Sequence, residues 1–219
     1  MTHAPASLHP YETLTPDTVL DALATVGLYG DGRLLTLNSY ENRVYQVGVE
    51  GLQDRRNVVV KFYRPGRWSD AQIQEEHDFA AELAQAEVPM VAPLVLEGRT
   101  LHQHGGFAFS VSPSRGGRAP ELDDFEVLEW IGRFLARIHT VGAARPFVQR
   151  PALDLRHFGS DSRDWLLAHD KVPLDVQKEW AAMCERALAQ IADTPLADFA
   201  AAAPLRTLRL HGDVHPGNI

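Results

Sequence analysis

The chain has 219 residues, 45% of them hydrophobic, with a formal net charge of −8 and a pI near 5.6. That balance is ordinary for a soluble globular protein and argues against general nucleic-acid binding, which needs a basic face. No apolar stretch approaches the roughly 18 residues of a membrane span, and the single Cys184 excludes an internal disulfide and fits a reducing compartment.

Residues 1–13 are polar and contain Pro and His; they lack the basic and apolar regions of a signal peptide, so the expected location is cytoplasmic. Thr15-Pro16-Asp17 reads as a helix start, with Thr as N-cap and Pro at the first helical position. Val19, Leu20, Leu23 and Val26 continue it as an apolar stripe that stops at Gly27. Gly30-Asp31-Gly32 reads as a turn. Strands are expected over Leu34–Leu37 and Arg43–Val47. Between them, Asn38-Ser39-Tyr40-Glu41-Asn42 is a tight turn, either a plain hairpin or a loop that covers nucleotide phosphates through the hydroxyl and N–H of Ser39.

Asn57–Tyr63 is a buried type of strand with Lys61 inside it. An ammonium there is costly unless paired; the alternative is an edge-strand lysine reaching water. Ser69 followed by Gln72 forms a capping box for the next helix. Its apolar face is Ile73, Ala80 and Leu83, and Glu76 lies on that face while Glu75 points to the side. Glu76 is therefore the expected partner of Lys61, with Glu75 in reserve. Val91–Leu96, Arg99–Leu101 and Phe107–Val111 are expected to complete a small sheet. The stretch Ser112-Pro113-Ser114-Arg115-Gly116-Gly117-Arg118 reads as a hinge.

The remainder reads as mainly helical. Phe125, Leu128, Ile131, Leu135 and Ile138 mark a long helix ending near His139, and Arg163–His169 and Leu174–Ile191 give two more. Trp180, Met183 and the other large apolar residues of these helices are expected in a core. The fold class is α+β, with two lobes: about 1–112 mixed, a hinge at 113–118, and 119–219 mostly helical.

The last line carries the chemistry. Leu208 and Leu210 alternate as in a short strand, which runs into His211-Gly212-Asp213-Val214-His215-Pro216-Gly217-Asn218. An Asp followed five positions later by an Asn is the pattern of a phosphoryl-transfer loop, where the Asp accepts the hydroxyl proton and the Asn holds Mg2+. A polar turn, or a zinc pair made by His211 and His215, are the rival readings; the second needs a helix that Gly212, Pro216 and Gly217 oppose.

This H-G-D-x-H-x-x-N form resembles the aminoglycoside phosphotransferase and choline kinase branch of the protein-kinase-like fold. With Asn38–Gln46, Val60–Pro65 and Glu75-Glu76-His77, nearly the whole chain is similar to the bacterial stress-response serine/threonine protein kinases of that superfamily. The resemblance implies ATP and Mg2+ as cofactors, a protein substrate with a Ser/Thr acceptor and a monomer; charge and the lack of a long apolar run already argue against a nucleic-acid or membrane partner. It assigns Asp213 as proton acceptor, Asn218 as metal ligand, and Ser39 and Lys61 as phosphate contacts, with Glu76 supporting Lys61. The Ser112–Ser114 backbone would hold the adenine edge. The family's further metal-binding Asp lies beyond its Asn, so the 219 residues are expected to be an inactive fragment.

Two rivals remain open. The same loop serves kinases of small alcohols such as choline, homoserine or aminoglycosides, for which Asp123-Asp124 and Asp161-Asp164 would attract a cationic substrate or merely cap helices. A non-catalytic nucleotide-binding fragment is the other.

Overall fold

Two periodicities in the first half of the chain decide its architecture. In β3 (Asn57–Phe62), Val58, Val60 and Phe62 are fully buried, while Val59 and Lys61 between them are half-buried. In β5 (Phe107–Pro113) the same rhythm buries Phe107, Phe109 and Val111 on one side and puts Ser110 on the other. Alternation with period two gives each strand two unlike faces. The first face joins Val47 and Val49 of β2 (Arg43–Glu50) and Val19, Ala22 and Leu23 of α1 (Pro16–Ala24) in the core. The second face, bearing Lys61 and Ser110, meets α2 (Asp70–Gln85).

The computed structural model describes residues 9–50, 57–193 and 207–218. It forms a five-stranded antiparallel sheet of order β1-β2-β3-β5-β4, with β1 at Tyr29–Leu37 and β4 at His102–His104. Both expected helix starts are present. The Thr15 hydroxyl accepts from Thr18 N at 3.2 Å with Pro16 behind it, and Ser69 and Gln72 close a reciprocal capping box.

Four local expectations fail for identifiable reasons. Gly30-Asp31-Gly32 is not a turn but an irregular part of β1, where the register with β2 shifts between Gly30 and Leu34. Gly32 takes φ +89° and the Asp31 carboxylate holds Arg33, which lets the strand absorb extra residues as a bulge. Val91–Leu96 is not a strand: Pro93 lacks an N–H, and Leu94 N reaches Val111 O at 2.7 Å without a ladder forming. Arg99–Leu101 is not one either. Leu96 and Arg99 close a two-residue turn whose central Glu97 and Gly98 both have positive φ, and pairing begins at His102. Leu208–Leu210 is extended without strand pairing; Arg209 is buried and Leu210 exposed, the reverse of the expected alternation.

Two compact units are distinguished: residues 1–142 with 210–219, and residues 143–209. The first contains the sheet, α1, α2, the loop at 210–219 and α3 (Phe125–Gly142). Within it, the Arg137 guanidinium donates to Ala86 O at 2.9 Å, placing a cation on the C-terminal end of α2. The second contains α4 (Asp161–Ala168), entered through a π-helical turn at Arg156–Ser160, and α5 (Leu174–Ala192). Asp154 stabilises that turn by accepting from His157 N at 2.7 Å. The expected burial of large apolar residues on these helices does not hold for Phe125, Trp130, Trp165 and Met183, which are exposed.

Candidate active site

The Lys61 ammonium lies 3.2 Å from Glu76 Oε1. The strand supplies the lysine on its α2-facing side. The capping box fixes where α2 begins and therefore which turn presents Glu76. Both side chains keep some solvent contact, 32% and 41%, so the pair is not a buried charge needing full compensation. It leaves the ammonium able to meet a further anion. This is also a chain of 3 lysines (Lys61, Lys171, Lys178) against 18 arginines, and the cation inside β3 is one of the lysines. A compact point charge stands here, not a planar fork.

Around that pair is a polar cluster that the sequence reading did not assemble. The Tyr63 hydroxyl is 2.7 Å from His77 Nε2 and 3.1 Å from Ser110 Oγ, and His77 Nδ1 is 2.9 Å from Thr100 Oγ1. Tyr63, His77 and Ser110 are all buried. Burial lowers the His77 pKa to about 4, against a smaller opposing pull from Glu76. The imidazole is neutral at neutral pH, and either tautomer completes the cluster. A signal was there to read: His77 follows Ile73 by four positions, a polar residue in an apolar helical stripe.

The turn at Asn38–Asn42 is tied down on several sides. The Ser39 hydroxyl donates to Asn42 O at 2.8 Å, so it closes the turn rather than standing free as expected. Asn42 Oδ1 accepts from Arg64 N at 3.2 Å, and Glu41 takes Arg67 Nε at 2.9 Å and Trp68 Nε1 at 3.0 Å. The Tyr11 hydroxyl, its pKa pushed up to about 12 by burial, donates to Glu41 O at 2.9 Å. Tyr40 is left fully exposed at the tip.

In the 210–219 loop, Asn218 Nδ2 donates to both Asp213 O and Asp213 Oδ2 at 2.9 Å. Gly212 allows this with φ +82°, and Pro216–Asn218 forms a short 3-10 turn. With its nitrogen committed to Asp213, Asn218 has its amide oxygen left for a cation, a hard ligand of the type Mg2+ takes. His211 and His215 instead accept backbone N–H groups from Asp213 and Gly217 at 3.3 and 3.1 Å, and no group of three His, Cys, Asp or Glu gathers among the described residues.

The structure thus brings the expected residues together as two pairs, Lys61 with Glu76 and Asp213 with Asn218, within one compact unit. Ser112 lies inside β5 opposite Val59, and Ser114 is just past its end. Of the acidic groups, Asp124 accepts from Glu126 N at 2.8 Å at the start of α3, and Asp161 and Asp164 sit in the first turn of α4 beside Arg156 and Arg163. Those are capping and ion-pair positions.

Residues 34–219 match the phosphotransferase enzyme family. The chain belongs to this family. Among curated relatives, the serine/threonine protein kinase RdoA of Salmonella typhimurium is 44% identical over 209 residues, covering 95% of this chain and 61% of that protein. The stress response kinase A of Escherichia coli is 42% identical over 213 residues, 97% of this chain and 62% of that one. The chain thus spans about three fifths of these relatives.

Two solved structures show the fold. An amicoumacin kinase in complex with AMP-PNP, Ca2+ and Ami has a TM-score of 0.58 at 18% identity, covering 84% of this chain and 55% of its own. A microcompartment-associated aminopropanol kinase has a TM-score of 0.53 at 19% identity, covering 69% and 49%. The sheet and helices described above share the fold of these two proteins, in the expected α+β class.

Proposed function

We propose that this chain carries the nucleotide-binding and phosphate-transfer residues of an ATP-dependent serine/threonine protein kinase of the stress response. The carrying observation is 44% identity to a serine/threonine protein kinase across 95% of the chain. In this reading the lobes are 1–112 and 119–219, joined at 113–118, and the protein works as a cytoplasmic monomer.

Lys61, held by Glu76, binds the ATP phosphates. The Asn38–Asn42 turn covers them through backbone N–H groups, including that of Ser39. The backbone at Ser112 and Ser114 receives the adenine edge. Asn218 would hold Mg2+ through its amide oxygen; bound there, the ion neutralises charge on the phosphates. Asp213 orients the acceptor hydroxyl and takes its proton as the oxygen attacks the γ-phosphorus, whose bond to the β–γ bridging oxygen breaks to release ADP. Asn218, bonded to the Asp213 carboxylate, fixes the direction in which that base points. Positioning and charge neutralisation supply most of the rate in such a transfer.

The test uses the protein at the full length of its relatives, with labelled ATP and either a generic protein or a panel of choline, homoserine and aminoglycosides. Label entering protein Ser/Thr and lost in Asp213→Ala supports the proposal. Label entering only the small alcohols transfers the reading to a small-molecule kinase.

A further inference from the structure

The Lys61 ammonium has a second neighbour besides Glu76. It lies 4.7 Å from the centre of the Tyr63 ring. Two residues apart along an extended segment, the two side chains project to the same side, and the ring offers the negative face of its quadrupole to the cation. The ring has little freedom to leave. Tyr63 is 4% exposed, and its hydroxyl is shared between His77 of α2 and Ser110 of β5. Ser110 is itself the residue paired with Lys61 across the β3–β5 ladder, and His77 directly follows Glu76.

The contacts of Tyr63 therefore reach the two elements that frame the lysine. A flexible four-carbon side chain loses substantial rotamer entropy when it is fixed for binding. A half-exposed carboxylate alone is a weak restraint. A buried ring face adds one that solvent does not compete for.

We propose that Tyr63 is a positioning residue for Lys61, its ring face holding the ammonium beside Glu76 before nucleotide arrives. The inference rests on the phosphate-binding role proposed for Lys61. Packing of the buried ring sets its orientation, which the hydroxyl contacts to His77 and Ser110 reinforce, and the ring sets the ammonium's.

The Lys61 signal can be assigned by one substitution, which makes the test direct. In the full-length protein with isotope-labelled lysine side chains, the Lys61 ε-methylene signal is assigned by its loss in Lys61→Arg. We expect it displaced upfield of the ordinary lysine ε-methylene position by the Tyr63 ring current. The displacement should persist in Tyr63→Phe and vanish in Tyr63→Leu. kcat/KM for ATP should fall about fivefold or more in Tyr63→Leu and stay within about twofold of wild type in Tyr63→Phe. A purely structural role predicts otherwise, because Tyr63→Phe also strips His77 and Ser110 of their partner and activity would fall with stability. An unshifted wild-type Lys61 signal overturns the proposal without any variant. So does Tyr63→Leu with wild-type kcat/KM. A shifted signal in a protein that binds no nucleotide overturns the kinase reading and this inference with it.

Discussion

The Trp68 indole N–H donates to the Glu41 carboxylate at 3.0 Å, joining the β1–β2 turn to the segment that leads into α2. The other carboxylate oxygen takes Arg67. One side chain thus couples the proposed phosphate-covering turn to the entrance of the helix that carries Glu76.

Removing that coupling should loosen the turn. Glu41→Ala is expected to cost about 1–2 kcal/mol of stability, since the half-buried Trp68 N–H loses its acceptor. It should also raise the KM for ATP. Glu41→Gln, which keeps one acceptor, should recover most of both. Denaturant unfolding and steady-state kinetics check this; an unchanged KM in Glu41→Ala would separate the turn from nucleotide binding.

Lys61→Met should separate function from folding. The Lys61–Glu76 pair is partly exposed, so it contributes less than about 1 kcal/mol to stability, and Tm should move by no more than about 4 °C. Phosphate transfer should fall about a hundredfold or more, because a preorganised charge facing the phosphates is lost. Lys61→Arg should not restore it, as the planar fork differs in reach and shape.

Asp213→Ala should reduce transfer about a hundred- to ten-thousandfold, the range for losing a positioned base. Asn218→Ala should act differently. It removes the bonds that orient Asp213 and the amide oxygen proposed for the cation, so the concentration of Mg2+ needed for half-maximal rate should rise. Rate measurements over a Mg2+ series distinguish the two variants.

His77 predicts an acid-sensitive stability. Its folded pKa is about 4, below the ordinary value of 6.5, so the unfolded chain binds more protons between those values. The contribution is complete above about pH 6.5 and lost as pH falls toward 4, amounting to at most about 3 kcal/mol. Unfolding free energies from pH 4 to 7 should rise with pH, and His77→Gln should flatten much of that slope. Equal slopes in both proteins would remove His77 as the source.

Local grammar made much of the first unit legible. Thr15-Pro16 and Ser69 with Gln72 satisfy the first N–H groups of their helices from within a few residues, so the helix starts needed no tertiary information. The Lys61–Glu76 pair was legible because strand and helix periods each assign a face. The Gly30–Gly32 bulge was misread because Gly marks both turns and bulges. Leu208–Leu210 was misread because alternation states which side chains differ but not whether a neighbouring strand exists to accept the backbone bonds.

By itself the sequence determined the α+β class, the starts of α1 and α2 and the residue types of a phosphoryl-transfer loop, since these depend on interactions across a few positions. Only the tertiary structure decided that Tyr63, His77 and Ser110 share one hydrogen-bonded cluster beside Lys61, and that Ser39 spends its hydroxyl on its own turn. Tyr63 and Ser110 are 47 residues apart in the chain. No local propensity encodes such a meeting; it follows from strand order and from the depth at which unpaired polar atoms become costly enough to require partners.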